Sequence, residues 1–218
     1  MSDEQQRQIY QTDGDRYEAL IAREDHQGNI LKAIEEIINP NGLDILDLGA
    51  GTGRLTLLLA PRAKSIRAFD ISSEMLRVCR ERLLASGLSN WKVEVADHRQ
   101  LPITNYSSDL AVSGWSVSYL AVWNPEKGIG ELENWLVEMR RVLRKDGTII
   151  LFGWSMSSRH INGWMRTVSK TNGFAPITNL NRWRKPRSCR AFSLGMSWEK
   201  KLGRTSGSSC LNVRGCGG

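Results

Sequence analysis

Asp44-Ile45-Leu46-Asp47-Leu48-Gly49-Ala50-Gly51-Thr52-Gly53-Arg54-Leu55-Thr56-Leu57-Leu58-Leu59-Ala60 is the stretch around which the chain is organised. Its first half is a short apolar run suited to a buried parallel strand. Gly49, Gly51 and Gly53 then make a turn without side chains, and residues 55–59 resume as a helix. A strand that breaks on glycines and restarts as a helix is expected to leave backbone N–H groups at a crevice, where doubly wound sheets take their ligands. Glycine is required because a β-carbon would block a close approach or demand a costly positive φ. The stretch predicts a nucleotide-like ligand.

The same alternation continues downstream. Residues 65–71 read as a second strand, and Ser72 or Ser73 caps a helix running to about Ala85, with Glu74 in its first turn. That helix carries Met75, Leu76, Cys79 and Leu83 on one face and stops at Gly87. Residues 91–96, 108–113 and 148–153 read as the third, fourth and fifth strands. Between the last two, Leu132, Trp135, Leu136, Met139 and Val142 mark a helical face. Upstream, Tyr17, Leu20 and Ile21, then Ile30, Leu31, Ile34, Ile37 and Ile38, predict two helices separated by a polar break at 23–29. Residues 1–15 read as a polar, disordered start. Strands alternating with helices at this spacing predict an α/β fold with right-handed crossovers. It would be a Rossmann-like, doubly wound and mostly parallel sheet with helices on both faces.

A chain of 218 residues suits one such domain. It lacks an apolar run of the length that spans a bilayer, and its start lacks the basic-then-apolar order of a secretory signal. A cytoplasmic protein without a membrane partner is expected. Cys79, Cys189, Cys210 and Cys216 lack metal-ligand spacing, so free thiols and no metal site are expected. The net charge of +7 is unevenly placed: residues 155–218 hold 12 Lys and Arg against one acid, Glu199, and the rest of the chain carries −4. Any affinity for nucleic acid would reside in that tail.

Asp70, at the end of the second strand, stands where a carboxylate accepts both ribose hydroxyls of an adenosine. A dinucleotide fingerprint places its third glycine three residues after the second, to let the backbone approach a pyrophosphate. Here that position is Arg54. Asp47, inside the first strand near the turn, would repel phosphate and attract a cationic or amino-bearing group. Together these residues predict an adenosine carrying positive charge.

The motifs resemble those of the class I S-adenosylmethionine (SAM)-dependent methyltransferases of the small-molecule, methyltransferase type 11-like kind. The family core Leu-Asp-Leu-Gly-Ala-Gly-Thr-Gly-Arg stands at 46–54, and Phe-Asp-Ile-Ser-x-x-Met-Leu at 69–76. Ala96-Asp97 precedes Leu101-Pro102, and a Ser-Asp-Leu-Ala-Val strand and a Val-Leu-Arg-Lys-Asp-Gly-Thr lead follow. The resemblance covers 16–154 and implies a SAM-binding domain with S-adenosyl-L-methionine as methyl-donor co-substrate. It places Gly49, Gly51 and Gly53 around the methionine and ribose portions, Asp47 near the amino group, and Asp70 on the ribose hydroxyls. Ile71 and Met75 would sandwich the adenine, and Asp97 would accept its exocyclic amine, with His98 beside it. Ser113, Gly114 and Trp115 would line the place where the sulfonium meets the acceptor. Ordinary packing also suits His98 and Met75. Tyr17, Trp115, Tyr119 and Trp123 are candidates for the acceptor pocket, where aromatic faces suit positive charge. In-line methyl displacement relies on alignment, and no general base is identified.

Beyond Trp154 the patterning fails: residues 155–218 contain ten serines, scattered tryptophans and a Gly/Ser/Arg-rich end. The family's C-terminal antiparallel strands are expected to be missing or disordered here, leaving a basic, poorly structured tail. One hypothesis is a shifted reading frame: a two-nucleotide shift at permitted codons turns 191–202 into Phe-Phe-Phe-Gly-Asp-Glu-Leu-Gly-Lys-Lys-Val. The coding DNA tests it. The leading expectation is a methyltransferase acting on a small-molecule acceptor. The alternatives are a degenerate SAM-binding protein and a nucleic-acid methyltransferase using the tail. Acceptor and oligomeric state are not legible.

Overall fold

The computed structural model of the protein describes residues 8, 10, 12–22, 25, 28–117, 119–120, 127–154 and 164–170. The apolar run becomes β1 (Asp44–Leu48), buried at every position after Asp44 as a central strand requires. Ahead of it come α1 (Gly14–Ile21) and α2 (Asn29–Glu35). After it come α3 (Arg54–Leu59), β2 (Ser65–Asp70), α4 (Ser73–Ala85), β3 (Trp91–Val95) and β4 (Ser108–Gly114), then α5 (Gly128–Val142), β5 (Leu143–Trp154) and β6 (Trp164–Lys170). α1 starts inside the stretch expected to be a disordered start, with the Asp13 side chain accepting from Arg16 N.

The sheet order is β3-β2-β1-β4-β5-β6. The first five strands pair in parallel. The order reverses between β1 and β4, so the carboxyl end of β1 opens at the switch point where such sheets take ligands. Alternation divides β1 between two cores. Ile45 packs with Ile34, Leu55, Leu59, Leu76 and Leu83 of α2, α3 and α4. Leu46 and Leu48 pack with Trp135, Met139 and Val142 of α5. Asp47 therefore projects on the α3 side, the face that carries the glycine turn.

Two features depart from the sequence expectation. β5 begins at Leu143 rather than Thr148, because Ser108 pairs with Leu143 and Leu110 with Thr148 across an irregular register. The other concerns the tail, where no sheet-completing strand was expected. β6 pairs antiparallel with β5, from Thr148↔Lys170 to Trp154↔Trp164. Its Trp164, Thr167 and Val168 favour extended backbone, a local preference outweighed in the sequence reading by the serine-rich surroundings. Residues 171–218, where the frame-shift hypothesis rests, lie outside the described residues.

α5 is fastened to the connection between β3 and β4 by Glu138, only 7% exposed. Its Oε1 accepts from Leu101 N and Arg141 Nη2, both at 2.6 Å, while Arg141 also donates to Leu101 O and Ile103 O. Burial alone would raise this carboxyl, yet Arg141 and Leu101 N hold it below its ordinary value. Glu138→Ala strands a buried N–H and a guanidinium together. The expected result in urea unfolding is a loss of about 2–4 kcal/mol.

Candidate functional site

The glycine turn wraps closely over the end of β2. Gly49 N and Ala50 N both donate to Phe69 O, at 2.8 and 2.9 Å, and Gly53 N donates to Ala50 O at 2.9 Å. Gly51 N donates to Asp70 Oδ2 at 2.9 Å. These donors, expected to face a crevice, are satisfied inside the protein. A phosphate would have to displace those bonds. The three glycines have φ of +68°, +57° and +88°, but their missing side chains make room for different things. A β-carbon on Gly49 would fall on the Ser116 side chain, and one on Gly53 would lie 2.6 Å from Cys79 Sγ. Beside Gly51 stands the Tyr17 ring, 3.9 Å from the position of such a carbon. Gly53 thus serves the packing of α3 against α4.

Asp70 joins the turn to α4. Its other oxygen accepts from Ser72 N at 2.9 Å, and Ser72 Oγ in turn caps α4 at Met75 N. Burial raises the Asp70 carboxyl above its ordinary value against the pull of these backbone donors. Each oxygen retains lone-pair capacity for a further donor.

Asp47 is 1% exposed. Thr56 Oγ1 donates to its Oδ2 at 2.6 Å, while Oδ1 is buried without a hydrogen-bond partner. Burial pushes the carboxyl up to about 7, opposed by the Thr56 bonds and reinforced by the charge of Asp70. A buried acceptor of this kind calls for a donor or a cation.

That carboxyl lines a crevice of about 40 Å³ together with Tyr17, Ile21, Gly49, Gly51, Thr52, Arg54 and Trp115. Trp115 adopts φ +60°, a strained conformation for a large residue, and its N–H donates to Phe152 O at 2.8 Å. Its indole stacks on Phe152 with centroids 6.0 Å apart. The Arg54 guanidinium lies 4.9 Å from the same ring. The aromatic wall expected to meet positive charge thus already carries a cation of the protein's own.

The remaining expected residues scatter. Ser113, 1% exposed, reaches the site only through Ser116: the two hydroxyls lie 2.6 Å apart, and Ser116 Oγ donates to Leu48 O at 2.8 Å. Ile71 is 69% exposed, whereas Met75 is sealed by protein at 1%. Met75 lies on the buried face of α4 with Leu76, Val78 and Cys79, so ordinary packing accounts for it. Asp97 is gripped by Arg99, which also pairs with Glu131, and this holds the Asp97 carboxyl below its usual range. It faces a different, open cavity of about 440 Å³ with Glu131, Asn134 and Val137. Burial lowers the adjacent His98. Tyr119 N donates to Ser116 O at 3.1 Å, and its side chain is not among those lining the smaller crevice. Trp123 lies outside the described residues.

Sequence reasoning missed Glu18, Thr52 and Ser116. Only Ser116 left a trace, its three-residue spacing from Ser113; the others matter through contacts distant in sequence. Among the described residues, no His, Cys, Asp and Glu cluster could hold a metal, and no helix is long and apolar enough to cross a membrane. Cys79 is a buried free thiol, pushed up to about 12 by burial.

Residues 45–147 match the methyltransferase domain family. An uncharacterised methyltransferase of Anoxybacillus flavithermus is 25% identical over 174 residues, covering 78% of this chain and 76% of that one. The malonyl-[acyl-carrier protein] O-methyltransferase of Geobacter sulfurreducens is 34% identical over 134 residues, covering 58% of this chain but only 46% of its own length. Among solved structures, Haemonchus contortus phosphoethanolamine N-methyltransferase 1, in complex with phosphoethanolamine and S-adenosylhomocysteine, superposes with a TM-score of 0.54. It is 23% identical, and the alignment covers 72% of this chain and 34% of that one. The matched span runs from β1 into β5 and holds the switch-point crevice, Asp47 and Asp70, so the candidate site lies in the part of the chain that is similar to methyltransferase domains.

Proposed function

We propose that the protein transfers a methyl group from SAM to a small-molecule acceptor in the cytoplasm. The observation that carries this reading is the orphaned Asp47 Oδ1, buried beside Gly49 and Gly51 at the carboxyl end of β1. The donor chemistry fits. Asp47 can accept from an ammonium group, and Asp70 has lone pairs left for a diol. The satisfied N–H groups of the turn offer nothing special to a phosphate. SAM held there would supply an electrophilic methyl carbon, with S-adenosylhomocysteine as the leaving sulfide when the S–CH₃ bond gives way to a bond with the acceptor atom.

The chain's own contribution is alignment and exclusion of water. Asp47 fixes one end of the donor by charge. Asp70 ties the turn to α4, so the crevice floor and the diol-facing carboxylate move as one unit. Trp115, held in its strained conformation by Phe152, forms a rigid wall beside Gly114. Small-molecule acceptors agree with the names of the relatives, and family members with 46% or 34% of their length covered carry further sequence in which acceptor contacts can reside.

Calorimetry with SAM and S-adenosylhomocysteine, followed by a methyl-transfer screen over amine, hydroxyl and carboxylate acceptors, tests the proposal. Binding followed by turnover is expected; binding without turnover on any acceptor overturns the enzymatic reading. In the same titration Asp70→Asn should weaken S-adenosylhomocysteine about tenfold or more. The amide NH₂ would oppose either Gly51 N–H or Ser72 N–H and leave one half-buried donor unpaired. An unchanged affinity would remove Asp70 from the site.

A further inference from the structure

We infer that Thr56 is a positioning residue for the donor site: its hydroxyl holds one oxygen of Asp47 and so presents the other, as a charged acceptor, to the donor's ammonium group. The inference rests on the reading of the crevice as the SAM site. The glycine turn brings the first turn of α3 back over the end of β1. Thr56 Oγ1 there donates to Asp47 Oδ2 at 2.6 Å, and Thr56 N–H bonds the same carboxyl. Oδ1 is left as the oxygen without a partner, on a side chain that lines the crevice.

The composition of α3 sets Thr56 apart. The helix reads Arg-Leu-Thr-Leu-Leu-Leu. Leu57 and Leu58 are half-buried, while the threonine is 0% exposed. An apolar side chain of the same shape would bury there at no polar cost. A helical threonine commonly turns its hydroxyl back to the carbonyl four residues earlier. Here that carbonyl, Thr52 O, accepts from Arg82 Nη1 at 2.8 Å, and the single proton of Thr56 Oγ1 goes to Asp47. The bond favours the ionised carboxylate and opposes the burial that raises it.

The strand neighbours of Asp47, Ala68 and Val112, are apolar. The titratable groups around it are Asp70 at the end of β2, Arg54 of α3, Cys79 and Arg82 of α4, and Tyr17 and Glu18 of α1. Glu18 and Arg82 pair at 2.8 Å. Cys79, which also hydrogen-bonds Thr56, is raised to about 12 and stays neutral near pH 7.

Two substitutions in the full chain separate the hydroxyl from the shape. Thr56→Val keeps the branched shape and loses the donor, whereas Thr56→Ser keeps the donor and loses a methyl. Each is compared with the parent by urea unfolding without ligand from about pH 5 to about pH 9. Calorimetry with S-adenosylhomocysteine in buffers of different ionisation enthalpy supplies affinity and proton count. In Thr56→Val the pH at which stability levels off, about 7 in the parent, is expected to rise by about one unit, as loss of a hydrogen bond to a charged group implies. S-adenosylhomocysteine should bind up to about tenfold more weakly near pH 6, with the gap narrowing toward pH 8. Thr56→Ser should lose stability evenly across the range and keep the parent's pH profile, with affinity within about twofold. At about pH 5 Asp47 holds its proton, so Thr56→Val folds there whatever its stability at higher pH. In an Asp47→Asn background the same change is expected to leave the pH profile unmoved. A parent-like profile in Thr56→Val, or a Thr56→Ser variant that shifts as far, overturns the inference and leaves Thr56 a packing residue. If S-adenosylhomocysteine binds no form of the protein, the SAM reading fails and the donor role with it. The ligand-free unfolding curves then decide by themselves whether Thr56 holds the Asp47 charge.

Discussion

Gly53→Ala is expected to cost about 3 kcal/mol of stability or more, one of the largest single-residue effects in the molecule. Two independent penalties meet at this position. The backbone sits at φ +88°, where a residue with a β-carbon is strained by roughly 1–2 kcal/mol. The new methyl would also approach Cys79 Sγ to 2.6 Å and Cys79 Cβ to 3.3 Å, an overpacking cost of about 1–3 kcal/mol. Cys79 cannot swing clear, because it is 0% exposed in the core shared by α3 and α4. The two contributions separate in a double-mutant cycle. Cys79→Ala alone opens a small cavity, but combined with Gly53→Ala it removes the collision and leaves the backbone strain. The double variant is therefore expected to be more stable than the sum of the single effects by about 1 kcal/mol or more, read from urea midpoints at constant slope. Strict additivity would mean that Gly53 is required for its backbone conformation alone.

The contrast between Gly53 and Gly51 shows which parts of the protein could be read from sequence. The spacing of strands, the polar break between α1 and α2, the Ser72 cap and the buried face of α4 all follow from local periodicity and capping chemistry. Three glycines in a turn look alike in sequence, because each merely lacks a side chain. What fills the space at each is a tertiary matter: Ser116 at Gly49, Tyr17 beside Gly51 and Cys79 at Gly53. Met75 is ambiguous for the same reason. Helical periodicity puts it on the buried face with Leu76 and Cys79, and the motif alone did not say which members of that face turn toward a ligand. Asp97 shows a further limit, since its partner Arg99 is two residues away, yet the Glu131 that pins Arg99 arrives from α5. β6 fell to the opposite error, in which a compositional judgement on a long tail hid a short segment of adequate strand propensity.

Asp47→Asn is expected to abolish the fall in stability that Asp47 imposes as pH rises and to remove a proton from the binding reaction. With its folded pKa raised to about 7 and an unfolded value of about 4, the native state holds a proton in this window that the unfolded state has released. Stability therefore falls as pH rises from about 4 to about 7, then levels off. At about 1.4 kcal/mol per pH unit the total is no more than about 4 kcal/mol. Asparagine has no such charge to bury, so the variant should match the parent near pH 4–5 and exceed it by a few kcal/mol at pH 8. Asp70, also raised by burial, adds a slope of the same sign, and the lowered His98 adds one of the opposite sign. Both remain in the variant, so the difference between the two unfolding curves isolates Asp47. Ligand binding supplies the second half of the expectation. An ammonium group at Oδ1 favours the ionised carboxylate, so S-adenosylhomocysteine should displace a proton from the parent below pH 7. Calorimetry in buffers of different ionisation enthalpy counts that proton. The asparagine variant should release fewer protons and bind more weakly at pH 8. A stability difference that does not change with pH, together with an equal proton count, would show that the orphaned oxygen faces no cation.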